Sequence, residues 1–334
     1  MPPIQASVRG SLLTGASALA LSITGYGAQA QTVPGQNPSP WTVWVEAGAF
    51  WTGGGNINVL TLNTLAAPFV TDPYLTFAPQ GGWEGAYGFD YNWAGPWHAV
   101  FDFRAGVSRS SSQGSSSHST NTRYFYSTGY FSSSNSSQSA SERELHIVAD
   151  FMIGREFGLG LTTGQFQLGV RVAELNSTIN ATQTASQFFS TFKRFGGTLN
   201  SSSSSQTASA MWDSDFFGAG PRAAVVGNTP IVGLWSVDYS GGIAGLIGSR
   251  TLNYSVTVTP GGSYGGSYRD IAFVFNADTW AALSYALSPS AKLSLGIRAD
   301  YYTAPLMTYN TSTGAISDID RLFWGPFLRL TGRF

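Results

Sequence analysis

From Trp97 to Val107 the chain reads WHAVFDFRAGV. Trp97, Ala99, Phe101, Phe103, Ala105 and Val107 share one face of a strand, and His98, Asp102 and Arg104 share the other. The same two-residue beat sets Trp83, Gly85, Tyr87, Phe89 and Tyr91 against Glu84 and Asp90. It returns where Leu293, Leu295, Ile297, Ala299 and Tyr301 oppose Lys292, Arg298 and Asp300. An ordinary antiparallel sheet turns such an apolar face to a core. Here that face is rich in aromatics and recurs with no helix or second sheet to cover it. The pattern predicts a sheet closed on itself, with lipid outside and a polar lumen inside.

Ten segments fit the alternating template of a membrane-spanning strand: Thr42–Trp51, Trp83–Tyr91, Trp97–Val107, Glu144–Ile153, Phe166–Ala173, Phe217–Val226, Trp235–Arg250, Asp270–Tyr285, Lys292–Tyr302 and Leu322–Phe334. The linkers between them alternate. Asn92–Pro96, Gly154–Gln165, Gly227–Leu234 and Ala286–Ala291 are short, with Gly, Pro or Asn. Thr52–Gly82, Ser108–Arg143, Glu174–Phe216, Thr251–Arg269 and Thr303–Arg321 are long and polar. Short periplasmic turns and long extracellular loops are the habit of outer-membrane barrels, and a first upward strand places every long linker outside. The fold expected is all-β: one transmembrane antiparallel barrel of about ten strands, with eight to twelve as the range. Ile57–Leu62, Tyr124–Tyr130 and Thr251–Val258 are β-like inside the long linkers, and read either as strands rising above the membrane or as an extra hairpin. The Ser-rich runs at 110–120, 132–141 and Ser201–Ser205 are expected to be mobile, solvated loop tips.

Composition narrows the class. Only 10% of residues are charged and 14% are aromatic, with 40 Gly and no Cys. Soluble domains carry about 25% charged residues, yet past the N-terminus no apolar run approaches the ~20 residues of a spanning helix. At the N-terminus, Arg9, the apolar Leu12–Ile23 and Ala28-Gln29-Ala30 form the three regions of a cleaved signal peptide. The expected organisation is a signal peptide over 1–30, a lead segment over 31–41 and a barrel over 42–334. The mature chain then carries 16 basic against 18 acidic residues, a balance that gives no reason to expect nucleic acid as a partner. Without Cys there is no disulfide framework and no thiolate metal site, and no cofactor is expected.

If the strands are in register, their charges point inward. The expected lining is Glu46, Glu84, Asp90, Asp102, Arg104, Asp150, Arg171, Arg222, Asp238, Asp278, Lys292, Arg298, Asp300 and Arg329, together with His98. A one-residue slip would turn a strand's charges onto lipid, where a cation at the midplane costs ~2–4 kcal/mol. Two roles fit this mix of signs: a ring that tunes ion passage, or a paired network that fills the barrel. A ten-stranded interior is tight, since eight strands leave room only for side chains. Trp44, Trp51, Trp83, Tyr91, Trp93, Trp97, Trp235, Tyr285, Tyr301 and Trp324 lie near strand ends and are expected to form interfacial girdles rather than a sugar-binding slide.

Catalysis is not expected. His98 lies four residues from Asp102 on one face, ~13 Å at 3.3 Å per residue. His118 sits in a Ser-rich run, and His146 lies between Glu144 and Asp150. None belongs to a recognisable nucleophile, base and orienter set, and the chain holds no G-x-S-x-G, H-E-x-x-H, P-loop or calcium-loop signature.

DFFGAGPRAAV at 215–225, followed by WSVDYSGGIAGLIG, resembles the Legionella-type major outer-membrane protein family. WTVWVEAGAFWTGG, ADFMIGREFG and LFWGPFLRL are similar to its alphaproteobacterial relatives, so the likeness spans most of the mature chain. The resemblance implies a β-barrel in the outer membrane and a diffusion pore, and supplies no catalytic residues. The disulfide chemistry of the Legionella members has no counterpart in a chain without Cys. The terminal Phe334 resembles the signal read by the barrel-assembly machinery, which is the expected transient partner besides outer-membrane lipid. A homo-oligomer stays open. The function expected is passive diffusion of small solutes or ions; the alternative is a plugged structural or surface-interaction barrel displaying its Ser-rich loops.

Overall fold

The computed structural model describes residues 40–53, 80–121, 128–193, 198–310 and 314–334. The proposed signal peptide, most of the lead segment, and Ile57–Leu62 lie outside the described residues. Ten strands follow one another: β1 (Trp41–Gly53), β2 (Gln80–Ala94), β3 (Trp97–Asn121), β4 (Thr128–Leu159), β5 (Thr162–Lys193), β6 (Thr198–Val232), β7 (Trp235–Thr259), β8 (Ser263–Ser288), β9 (Ala291–Asn310) and β10 (Ala315–Arg333). Each pairs antiparallel with its neighbours in sequence, and β10 returns to β1, so the sheet closes into a barrel. The seam is in register over most of β1, from Thr42 opposite Arg333 to Gly53 opposite Leu322. Gly95, Gly160 and Gly233 occupy the left-handed region at three of the tight turns, which glycine enters without a Cβ clash.

The predicted segments are all strand, and the strands run well past them. β4 and β5 are 32 residues long and β6 is 35, where about ten were expected. The Ser-rich runs expected to be mobile tips are paired instead. Ser110 to Ser119 lie in register with Glu142 to Ser133, and Ser201–Ser205 with Ser190–Ser186. The correction has a simple physical cause. Serine removes the alternating signal from the side chains, but the ladder of the adjoining strand still holds the backbone of each run in register. Thr251–Val258 likewise is the continuation of β7, paired to both β6 and β8, and not an extra hairpin.

Outward positions make an apolar band on every strand. It includes Tyr87 on β2, Phe151 and Ile153 on β4, Leu168 on β5, Phe217 on β6, Ile243 and Ile247 on β7, Ile271 and Phe273 on β8, and Leu295 and Ile297 on β9, all exposed. Of the residues expected in the aromatic girdle, Trp51, Trp83, Tyr91, Trp93, Trp97, Trp235, Tyr285, Tyr301 and Trp324 have outward parity. Trp44 is the correction: it shares the inward parity of Glu46, and its indole N–H donates to Asp102 Oδ2 at 3.2 Å.

Candidate functional site: a charged cup beneath an apolar cap

Every predicted lining residue faces the interior, because strand alternation leaves a charged side chain only lipid or lumen. There they meet each other. Arg171 (β5) donates Nε and Nη2 to the two oxygens of Asp150 (β4) at 2.7 and 2.6 Å, and Nη1 to Asp278 (β8) at 2.9 Å. Arg222 (β6) pairs with Asp278 and stands 3.3 Å from Asp150. Arg298 (β9) joins Glu46 (β1) to Glu84 (β2), the latter at 2.8 Å, and Arg329 (β10) reaches Glu46 at 2.8 Å. Arg104 (β3) forks onto Asp300 (β9) at 2.6 and 3.0 Å, directly across the barrel. Lys292 pairs with Asp238. Asp90 lies 2.6 Å from Nδ1 of His98, whose Nε2 is 3.1 Å from Glu156. Asp102 has no cation within 4 Å among the described residues; Trp44 alone donates to it.

Such pairs gain Coulomb energy in proportion to their dryness, but lose hydration to get there. Their net stabilisation is modest, whereas removing one partner leaves a buried charge uncompensated. The network therefore holds opposite walls together, the arrangement of the second of the two roles that the mix of signs allowed.

Below this network, at the end carrying the short turns, lies a polar cup of about 310 Å³. Trp44, His98, Gln165, Asn228, Asp238, Lys292 and Arg333 form its wall, and Arg104, Arg171 and Arg298 stand at its inner end. The histidines are held by carboxylates here: His98 by Asp90 and Glu156 rather than Asp102, and His146 by Glu84 at 2.8 Å rather than Asp150.

Above the network the interior changes character. Trp212 and Phe216 (β6), Leu246 and Leu252 (β7), Leu175 (β5), Leu306 and Met307 (β9) fill the section, none more than 2% exposed. β9 brings the last two there by leaving β8. Its pairing with β8 stops at Tyr302 opposite Asn276, while its pairing with β10 continues to Asn310. At the departure point Ala304 takes a φ of 48°, a left-handed conformation that L-residues other than Gly, Asn and Asp rarely adopt. The Asp320 carboxylate secures the bend. One oxygen accepts from the Ala304 N–H at 2.8 Å and the other from the Tyr301 hydroxyl at 2.8 Å, beside a register shift in β10.

Beyond the bend Pro305, Leu306 and Met307 are buried in succession, so both faces of this stretch of β9 are covered. The Met307 N–H donates to Ser214 Oγ of β6 at 2.8 Å, and Arg250 of β7 donates to the Ala304 carbonyl at 2.8 Å and to Asp318 at 2.8 Å. Tyr254 of β7 stacks on Tyr309 at 4.0 Å. Loss of water, then Tyr254, raises the Tyr309 hydroxyl above the ordinary tyrosine range. Arg321 ties β10 to Glu144 and Glu142 of β4 at 2.6 and 2.9 Å.

These cap-fastening residues were not among the expected lining. Arg321, Asp318 and Glu142 lay in segments that read as loops, and Glu144 and Arg250 stood at predicted strand ends. Parity within the predicted segments puts Glu144 and Arg250 inward, and Glu142 lies where the alternation fades into a Ser-rich run.

No family model matches the chain, and no curated protein matches it in sequence. Among solved structures, the outer membrane protease OmpT from Escherichia coli matches 90% of this chain and 99% of its own at 10% identity, with a TM-score of 0.34. Neisserial surface protein A matches 90% of this chain and all of its own at 8% identity and a TM-score of 0.25. Ail, the attachment invasion locus protein of Yersinia pestis, matches 88% and 98% at 10% identity and a TM-score of 0.23. Scores this low carry no function across.

Proposed function

We propose that the chain is an outer-membrane barrel with a closed interior, which acts by presenting its tall, hydroxyl-rich strands at the cell surface. The observation that carries this is the apolar layer of Trp212, Phe216, Leu246, Leu252, Leu306 and Met307 across the interior. Ions do not cross a dry apolar section of this kind, whatever the charge of the cup beneath it. The membrane placement rests on the outward apolar band and on the asymmetry of short turns and tall strand ends, which sets the cup toward the periplasm. The signal-peptide pattern and the resemblance to the Legionella-type major outer-membrane protein family support the same compartment. The reading gives the interior histidines His98 and His146 a structural part, each held by carboxylates.

The polar cup favours a second reading, a pore gated by the inward bend of β9 at Ala304. Planar-bilayer recording of folded protein separates the two. A silent membrane is expected from the wild type and also from Leu306→Asp combined with Met307→Asp if display is the function. Ohmic steps from the wild type would overturn the closed reading, and steps from the double variant alone would establish the gate.

A further inference from the structure

Arg109 on β3 and Arg143 on β4 are directly opposite each other in the ladder, and both are exposed on the outer face. Two cations facing one another across a strand pair repel, and the usual remedy is an acidic neighbour. None supplies it: neither arginine makes a salt bridge among the described residues. The ladder neighbour on the β2 side is Gly81, where a Cβ would meet nothing within 4 Å, and on the β4 side it is Thr178 of β5. Among the described residues, the pair thus borders a notch without a carboxylate in it.

Position says what the pair faces. One outward step toward the short turns, Val107 and Leu145 belong to the apolar band, so these arginines are the first polar outward residues above it on their strands. Trp83, opposite Val107, is exposed on the same side, and the ladder row through Gly81 leads on to the Trp51–Trp324 pair. Tryptophans of this kind settle at headgroup depth. Beyond the arginines, outward Ser111, Gln113, Ser139 and Ser141 present hydroxyls and an amide. Acyl chains against the band, a phosphate between two guanidinium groups and a saccharide against the hydroxyls match these three zones in order.

We infer that Arg109 and Arg143 form a binding site for the phosphate of a phosphorylated, acylated saccharide lipid in the outer leaflet. The inference rests on the membrane-spanning reading of the apolar band. Guanidinium supplies paired N–H donors that fit phosphate oxygens, and the anion removes the repulsion between the two cations.

The test uses refolded full-length barrel, with folding scored by heat-modifiable gel mobility and membrane insertion by flotation with vesicles. Native mass spectrometry then counts retained lipid, using a bis-phosphorylated acylated disaccharide as the probe, its dephosphorylated form as the control and inorganic phosphate as competitor. The wild type should retain the phosphorylated lipid, and Arg109→Gln with Arg143→Gln should retain it about tenfold less, the size of one charge-assisted phosphate contact. Arg109→Lys with Arg143→Lys should fall between, and inorganic phosphate should not displace the lipid. Equal retention by the inserted Gln variant, or equal retention of the dephosphorylated lipid, would overturn the site. Displacement by inorganic phosphate would replace the lipid with a free anion. A folded wild type that fails to insert would overturn the membrane reading along with it.

Discussion

The lower and upper halves of this barrel are built from the same strands with their sides exchanged. On β6, Phe217, Ala219, Pro221 and Val225 face outward in the lower half while Arg222 faces in. Farther along the same strand Phe216, Trp212, Ala210 and Ala208 face inward and Asp215, Asp213 and Ser209 face out. β7 repeats the exchange, from Ile243 and Ile247 outside with Asp238 inside, to Leu252 and Val256 inside with Asn253 and Ser255 outside. The period of two never changes, only which parity carries the apolar side chains. In the lower half an outward apolar residue is satisfied by lipid, so the interior can afford ion pairs. In the upper half water surrounds the barrel, and the apolar residues must turn inward to be buried. The interior is therefore polar below and apolar above, the order on which the closed reading rests.

The largest expected effect tests the lower interior. Arg171→Leu leaves Asp150 and Asp278 short of their main cation and should destabilise the barrel by about 3–5 kcal/mol, read from urea unfolding of the refolded protein in micelles. A loss under about 1 kcal/mol would mean that water, not the arginine, compensates those carboxylates. Next, the same substitution made on the outer face of each half should give unlike results. Ile243→Arg, in the middle of the apolar band, should cost ~2–4 kcal/mol, while Asn253→Arg, above it, should stay within ~0.5 kcal/mol. Equal costs would erase the boundary between the halves. The smallest effect concerns the bend that divides them. Ala304→Gly relieves a left-handed conformation in an L-residue, about 1 kcal/mol, offset in part by the entropy glycine loses on folding. Thermal unfolding should show the variant no less stable than the wild type, and Ala304→Val should be clearly less stable.

Much of the lower half was legible in the sequence and much of the upper half was not. Charged residues on lipid-facing strands have one permitted side, so parity alone placed Glu46, Asp150, Arg171 and Arg298 in the interior. Parity also places Trp44 inward, and a position near a strand end was the weaker guide there. Pairing partners were not legible, because Arg104 and Asp300 meet across 196 positions of chain and nothing local encodes that distance. The Ser-rich strands were missed since a strand with polar side chains on both faces has no alternation, although its backbone pairs as well as any other. Glu142 fell with them.

By itself the sequence determined that this is an all-β chain of about ten alternating strands, which of their residues face lipid and which face inward. Those follow from a period of two and from the cost of exposing charge to hydrocarbon, both local properties. Whether the interior is open was decided only by the tertiary structure. The bend of β9 at Ala304, its hold on Asp320 of β10, and the meeting of Leu306 and Met307 with β6 and β7 depend on side chains far apart in the chain. A lumen is a volume enclosed by all the strands at once, so no single strand's pattern can say what fills it.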